Sequence, residues 1–199
     1  MFKGIVEATG VVVHAEDLDT TRRFTVEAPT LMGGVTPGDS IAVDGACFTA
    51  ISVATDTFTV DAIGTTLERT IAGGYQEGSR VNLERAMVLG GRIDGHLVQG
   101  HVDSVGQFIH SQKDGEYWTM DFRVPAEVYD LTVLHGSITL NGVSLTVSEL
   151  SPDRVCRIGV TPFTYQHTNL GDLTPDAPVN IEGDMIGKYV TKILGSRGE

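Results

Sequence analysis

The chain carries its own copy. Gly4-Ile5-Val6-Glu7-Ala8-Thr9-Gly10 matches Gly100-His101-Val102-Asp103-Ser104-Val105-Gly106 at an offset of 96, and Pro29 matches Pro125 in the same register. Asp39-Ser40-Ile41-Ala42-Val43-Asp44-Gly45-Ala46-Cys47-Phe48-Thr49 then matches Gly136-Ser137-Ile138-Thr139-Leu140-Asn141-Gly142-Val143-Ser144-Leu145-Thr146 at 97. Thr66 and Thr70 match Thr164 and Thr168, and Val81-Asn82-Leu83-Glu84 matches Val179-Asn180-Ile181-Glu182, both at 98. Colinear matches whose register slips by one residue at a time imply duplication of a unit of roughly 90 residues. Over 199 residues this predicts two domains, 1–96 and 97–184, followed by a helix and tail over 185–199.

Each half reads as all-β. The run 40–53 is mostly apolar and breaks at Asp44-Gly45, and 137–150 breaks likewise at Asn141-Gly142. Such dipeptides between apolar runs are the strongest short-range hairpin signal. Residues 58–63 and 155–160 are also strand-like. About six short strands per half predict a small closed barrel, because closure removes sheet edges. Two short helices are expected as well. Thr65-Thr66-Leu67-Glu68 has a capping-box pattern with Thr65 as cap, and Asp184 is placed to cap a tail helix ending at Gly195. Along that tail Met185, Ile186, Tyr189, Val190, Ile193 and Leu194 form one apolar stripe, which must dock on its own chain or on another copy.

Composition removes several function classes. The net charge of −12 repels phosphate backbones, which argues against nonspecific nucleic-acid or anionic-membrane binding. No apolar run approaches the ~18–20 residues of a membrane span, and no signal-peptide core follows Met1, so a cytoplasmic location is expected. The two cysteines, Cys47 and Cys156, are too far apart for a zinc motif, so no metal site is predicted, and Cys156 reads as core. No glycine-rich phosphate loop is present, so no nucleotide cofactor site is readable.

Two similar pockets on one chain suit two copies of one ligand. A reaction between two such copies also needs the symmetry broken, so that one donates and the other accepts. The halves differ at suitable places: Cys47 becomes Ser144, and Ile5 becomes His101.

Several segments resemble the riboflavin synthase alpha-chain family. They are Met1-Phe2-Lys3-Gly4-Ile5-Val6-Glu7, the stretch 39–47, Gly95-His96-Leu97-Val98-Gln99-Gly100-His101-Val102-Asp103, the stretch 136–147, Val81-Asn82-Leu83-Glu84-Arg85, and the ending 179–182 with Asp184, Lys188 and Tyr189. The resemblance spans nearly the whole chain. It implies two six-stranded Greek-key barrels plus a C-terminal helix, and a homotrimer formed through that helix. It implies dismutation of two 6,7-dimethyl-8-ribityllumazine molecules into riboflavin and 5-amino-6-ribitylaminouracil, without a cofactor. It further implies a site shared between the first barrel of one subunit and the second barrel of a neighbour, with lumazine synthase as a possible further associate.

The chemistry needs a base for a methyl proton and a nucleophile or water for the electrophilic ring. His101 is the first candidate for proton transfer, since its ordinary pKa lies near physiological pH. Cys47 and Ser144 are candidates for attack or for orienting the ring, and each could instead be structural. Asp184 matches a polar site position of the family and is equally a helix cap. Thr49 and Thr146 lie two residues beyond Cys47 and Ser144, hence on the same strand face. Phe2 offers a flat apolar surface or a plug, and Lys3, Gly4, Ile5, Ser40, Thr66, Gly100 and Thr164 complete the expected binding set. His96 reads as a residue that orients its neighbours. Departures from the family pattern are Lys3 for the usual Thr, Thr65 where Glu is common, and Phe48 for Leu. Lys3 also occurs at the start of the related lumazine-protein antennae, which bind lumazine or flavin without turnover. The second half here keeps His101, Ser144 and Thr146, which favours an enzyme over an antenna.

Overall fold

The computed structural model describes residues 1–195, so the last part of the expected tail, 196–199, lies outside the described residues. The first half forms β1 (Ala8–Asp17), β2 (Thr21–Glu27), β3 (Ser40–Val43), β4 (Ala46–Val53), β5 (Thr57–Ile63), α1 (Gly64–Arg69) and β6 (Arg80–Arg85). The second forms β7 (Ser104–Asp114), β8 (Tyr117–Arg123), α2 (Ala126–Tyr129), β9 (Ser137–Leu140), β10 (Val143–Ser151), β11 (Val155–Val160), α3 (Pro162–His167) and β12 (Pro178–Gly183), and α4 (Met185–Gly195) follows.

Each half closes into an antiparallel barrel, in the orders β1-β2-β5-β4-β3-β6 and β7-β8-β11-β10-β9-β12. In both, three hairpin-connected strands are flanked by a fourth that returns beside the first of them, which is a Greek key. The duplication extends to irregularities. β1 and β7 are bulged between Val12 and His14 and between Phe108 and His110, and β4 and β10 between Ala50 and Ser52 and between Val147 and Glu149. A bulge bends its strand, and repeated bends at matching positions give both barrels the same curvature. Each barrel has its own core, one around Phe24, Phe58 and Leu83 and the other around Met120, Phe122 and Ile158.

The expected hairpins form. Asp44 and Gly45 have φ of 45° and 78°, and Asn141 and Gly142 have 44° and 78°. Two successive positive φ values mark the two-residue turn whose twist suits a hairpin. These turns abut: a Cβ on Gly45 would lie 2.7 Å from the Gly142 amide nitrogen, and one on Gly142 would lie 2.7 Å from that of Gly45. A residue that touches its own repeat mate lies on a pseudo-twofold axis relating the barrels.

Around this axis runs a buried polar seam. Asn82 Nδ2 donates to the Asn141 carbonyl at 2.8 Å, and its mate Asn180 Nδ2 donates to the Asp44 carbonyl at 2.8 Å. Asp44 and Asn141 accept in turn from the amides of Asn82 and Asn180 at 2.7 and 2.8 Å. Asp44 breaks the symmetry, because it also accepts from the Tyr75 hydroxyl at 2.7 Å and from Asn169 Nδ2 at 2.8 Å. Burial pushes its carboxyl up to about 7 against those donors.

The helices correct the sequence reading. Thr65 is not the cap of α1; the helix starts at Gly64, with Ile63 at the N-cap and no side-chain cap bond. Strand β5 runs straight into the helix, so Thr65 is already inside it. The true cap is in the other repeat, where Thr161 Oγ1 accepts from the Thr164 amide and Pro162 opens α3. Neither α3 nor α2 is expected from the sequence reading, although a Thr-Pro start is a helix signal. Asp184 does cap α4, accepting from the Ile186 amide at 2.9 Å. The α4 side chains Ile186, Tyr189, Val190, Ile193 and Leu194 stay exposed, so the stripe does not dock on its own chain.

Candidate active site

The residues that lead into each repeat are not strands of its barrel. Residues 1–5 and 97–101 run side by side on the axis, where the Phe2 amide donates to the Val98 carbonyl at 2.7 Å and the Val98 amide donates back at 3.1 Å. Phe2 and Val98 are repeat mates. Each segment then presses on the hairpin of the opposite repeat. The Gly4 carbonyl accepts from the Ser144 amide at 2.7 Å, and the Gly100 carbonyl accepts from the Cys47 amide at 2.9 Å. Only glycine fits here. A Cβ on Gly4 would stand 2.7 Å from Ser144 Cβ, and one on Gly100 would stand 2.7 Å from Cys47 Cβ; both residues have positive φ.

Strand alternation decides which residues these segments meet. In β4, Ala46, Phe48 and Ala50 enter the core, which leaves Cys47 and Thr49 on the outer face. Pairing of β3 with β4 sets Ala42 opposite Cys47 and Ser40 opposite Thr49. In the second barrel Thr139 stands opposite Ser144 and Ser137 opposite Thr146. The two outer faces thus share one register and differ in chemistry.

On the first face, Phe2 is fully buried against Ala42, Val98 and Cys47, so it acts as a plug rather than as an open platform. Beside it, Cys47, Thr66, Gly100 and His101 line one pocket of about 180 Å³, together with Thr65 and Arg69. His101 projects from the segment as an exposed side chain, while its amide donates to Glu182 Oε2 at 2.9 Å.

On the second face, His96 sits where the first has apolar packing. Its Nδ1 is 2.7 Å from Ser144 Oγ and its Nε2 is 3.2 Å from Thr139 Oγ1. Burial lowers the His96 pKa, and the charge of Asp184 opposes that shift. The ring is therefore neutral at neutral pH, with one nitrogen donating and the other accepting. In the tautomer protonated at Nε2, Nδ1 is free to accept the Ser144 hydroxyl proton.

Other expected site residues fall elsewhere. Lys3 and Ser40 line a separate, larger pocket of about 470 Å³, and Lys3 Nζ lies 3.9 Å from Asp94. Thr49 and Thr146 are exposed on the same faces as Cys47 and Ser144. Thr164 lies in α3, where its hydroxyl accepts from Thr161 Oγ1 at 3.2 Å. Ile5 is half-buried. Cys156 is core, with its thiol pushed up to about 12 by burial and hence unreactive. Among the described residues no cluster of His, Cys, Asp and Glu could hold a metal ion.

Residues 3–86 and 99–184 each match the lumazine binding domain family. The chain is 41% identical over 202 residues to the riboflavin synthase of Mycobacterium tuberculosis, with the whole of both chains covered. It is 37% identical to that of Bacillus subtilis, over all of this chain and 92% of the relative. The chain belongs to the riboflavin synthase family. Among solved structures, LumP complexed with riboflavin superposes with a TM-score of 0.85 at 25% identity, covering 92% of this chain and 99% of that one. LumP complexed with 6,7-dimethyl-8-(1'-D-ribityl) lumazine gives 0.83 at 24%, a likeness of fold.

Against this family background, the sequence reading missed Thr139 and Arg69 and left His96 as an orienting residue. Thr139 was legible: the Asn141-Gly142 turn fixes the register that sets it opposite Ser144. The grip of His96 on both hydroxyls was not, because residues 86–95 carry it there as a loop with no periodic pattern.

Proposed function

We propose that this protein is a riboflavin synthase, a transferase that dismutates two molecules of 6,7-dimethyl-8-ribityllumazine. One molecule gives up a four-carbon unit and becomes 5-amino-6-ribitylaminouracil; the other accepts it and becomes riboflavin. No cofactor is needed, since the electrons stay within the two pteridines. The observation that carries this reading is the pair of faces with one backbone and two chemistries, Cys47 with His101 on one and Ser144 with His96 on the other. Identity of 41% over the full chain to a riboflavin synthase supports it.

In this reading His101 moves the methyl proton at the first face. Ser144, hydrogen-bonded to a neutral imidazole, is an activated hydroxyl of the kind that attacks an electrophilic ring carbon, with His96 receiving its proton. Cys47 lines the first pocket and orients the ring there. Asp184 stabilises charge near His96 while it caps α4. Thr49, Thr66, Thr146 and Thr164 supply hydroxyls to ribityl chains, Lys3 and Ser40 act from the larger pocket they line, and Phe2, buried behind Cys47, supports the wall with Gly4 and Ile5.

The reaction takes place between subunits of a homotrimer. The pocket beside Cys47 and His101, at about 180 Å³, is smaller than the ~300–1,000 Å³ typical of ligand sites, which fits walls completed by a neighbouring subunit. The uncovered apolar stripe of α4 supplies the contact surface. The protein works in the cytoplasm, and lumazine synthase is a candidate further associate. No helix among the described residues is long and apolar enough to cross a membrane.

The test is to incubate the purified protein with the lumazine alone and follow both species by chromatography. One riboflavin per two lumazines consumed is the expected result. Tight binding without riboflavin would reassign the protein to the antenna branch, with Lys3 and Thr65 the first positions to revert.

A further inference from the structure

The segments that bring Gly4 to Ser144 and His101 to the first pocket are not barrel strands, so something else must fix them. Two buried carboxylates do so. Glu182, at 2% exposure in β12, accepts from Gln99 at 2.7 Å through Oε1, and from Gly100 and His101 at 2.9 Å each through Oε2. Its repeat mate Glu84, at 3% exposure in β6, accepts from the amides of Lys3 at 2.9 Å and Gly4 at 3.0 Å. Five peptide amides supply the hydrogen bonds to the two carboxylates, and the charges of Lys3 and Lys188 favour the ionised forms of Glu84 and Glu182 as well; burial opposes both and pushes the two carboxyls up. A buried carboxylate is costly, and two residues earlier on the same strands Asn82 and Asn180 make their bonds across the axis with neutral amides. What a carboxylate adds is two oxygens that accept only, enough to bind successive amides that all point the same way.

We propose that Glu182 is the positioning residue for His101 and Gly100 at the first face, and that Glu84 has the same role for Gly4 beneath Ser144 at the second. This rests on the riboflavin synthase reading. Through three consecutive amides, Glu182 fixes the backbone from which the His101 ring projects and sets Gly100 against Cys47. Misplacing a catalytic group by about 1 Å can cost 10²-fold while leaving binding nearly intact.

The test replaces Glu182 by Gln and, separately, by Asp, and Glu84 by Gln, in the full chain. Glutamine keeps the size but turns an NH₂ towards the donors. We expect Glu182→Gln to lower kcat at least about tenfold, with lumazine affinity by fluorescence titration changing less than about threefold. Amide exchange over residues 97–102 should quicken at least about tenfold. The double variant Glu182→Gln/His101→Gln should be no slower than His101→Gln alone, because the first change acts through the second. Glu182→Asp keeps the charge and both oxygens, and should retain more activity than the Gln variant. If Glu182→Gln does not fold, the Asp variant carries the same kcat, affinity and exchange comparison. A lower Tm with unchanged kcat, or losses that multiply in the double variant, would overturn the proposal. If the wild-type protein makes no riboflavin, the functional reading fails and the clamp is judged on exchange alone. Unchanged exchange in both the Glu182 and Glu84 variants would then overturn it.

Discussion

The outer faces of β3–β4 and β9–β10 share a fold to the level of individual turns and bulges, yet they hold different chemistry. Where the first face has Ala42 and Cys47 packed against Phe2, the second has Thr139 and Ser144 joined by His96. His101 belongs to the first face, and its repeat mate Ile5 cannot transfer a proton. The repeats share one outward face in backbone and register, and a few substitutions on it made the two faces unequal. The inward faces were not free to diverge in this way, because each barrel core must stay close-packed. The two repeats therefore differ at positions where a change of side chain costs little stability.

The comparison breaks most severely at the axis itself. Gly45→Ala and Gly142→Ala each add a Cβ 2.7 Å from a backbone nitrogen of the other turn, at a positive φ. Each should destabilise the protein by about 3 kcal/mol or more, and by similar amounts, as read from denaturant unfolding. Damage from only one would mean that the turns do not pack as equals.

The next effect sharpens the chemical difference. His101→Gln should lower kcat by about 10²-fold and leave lumazine affinity within a few-fold, as expected for loss of a proton-transfer group. Ile5→Val at the mate position should cost far less. Comparable losses in steady-state kinetics would remove the distinction between the faces.

Ser144→Ala removes the partner of His96 Nδ1 and should slow turnover by about tenfold. Cys47→Ser should cost less, since the Cys47 thiol makes no side-chain hydrogen bond among the described residues. The reverse ranking in single-turnover measurements would assign the activated nucleophile to the first barrel.

The smallest effect lies in the seam. Asp44 titrates near 7 when folded, well above the ~3.9 of an unfolded aspartate. The folded state therefore holds that proton more tightly, and the stability this contributes is full below pH ~4 and is lost as pH rises towards 7. Asp44→Asn should flatten this fall and raise Tm by a few degrees at pH 8. Its amide can serve the seam as Asn141 does at the mate position, accepting from Asn180. Glu84 is also pushed up to about 7 by burial and adds a fall of the same sign, so the slope should shrink without vanishing. An unchanged slope in thermal melts across pH 4–8 would show that Asp44 does not titrate there.

Much of this was legible before any coordinates. The repeat fixed two units, Asp-Gly and Asn-Gly fixed both hairpins, and alternation put Cys47 with Thr49 and Ser144 with Thr146 on one face each. These are local properties, set by φ at two turn residues and by the two-residue period of a strand. The capping box at Thr65 failed because a strand that runs unbroken into a helix needs no side-chain cap, a condition the four residues do not reveal.

The amino-acid sequence by itself determined the duplicated all-β architecture, the register of its hairpins and the identity of the residues that differ between repeats. Only the tertiary structure decided that each opening segment lies on the opposite barrel, that His96 bridges Ser144 and Thr139, and that Glu84 and Glu182 hold the segments in place. Those contacts join residues roughly 40 to 140 positions apart. Their geometry is set by how two closed barrels meet about an axis, and no local propensity or periodicity records it.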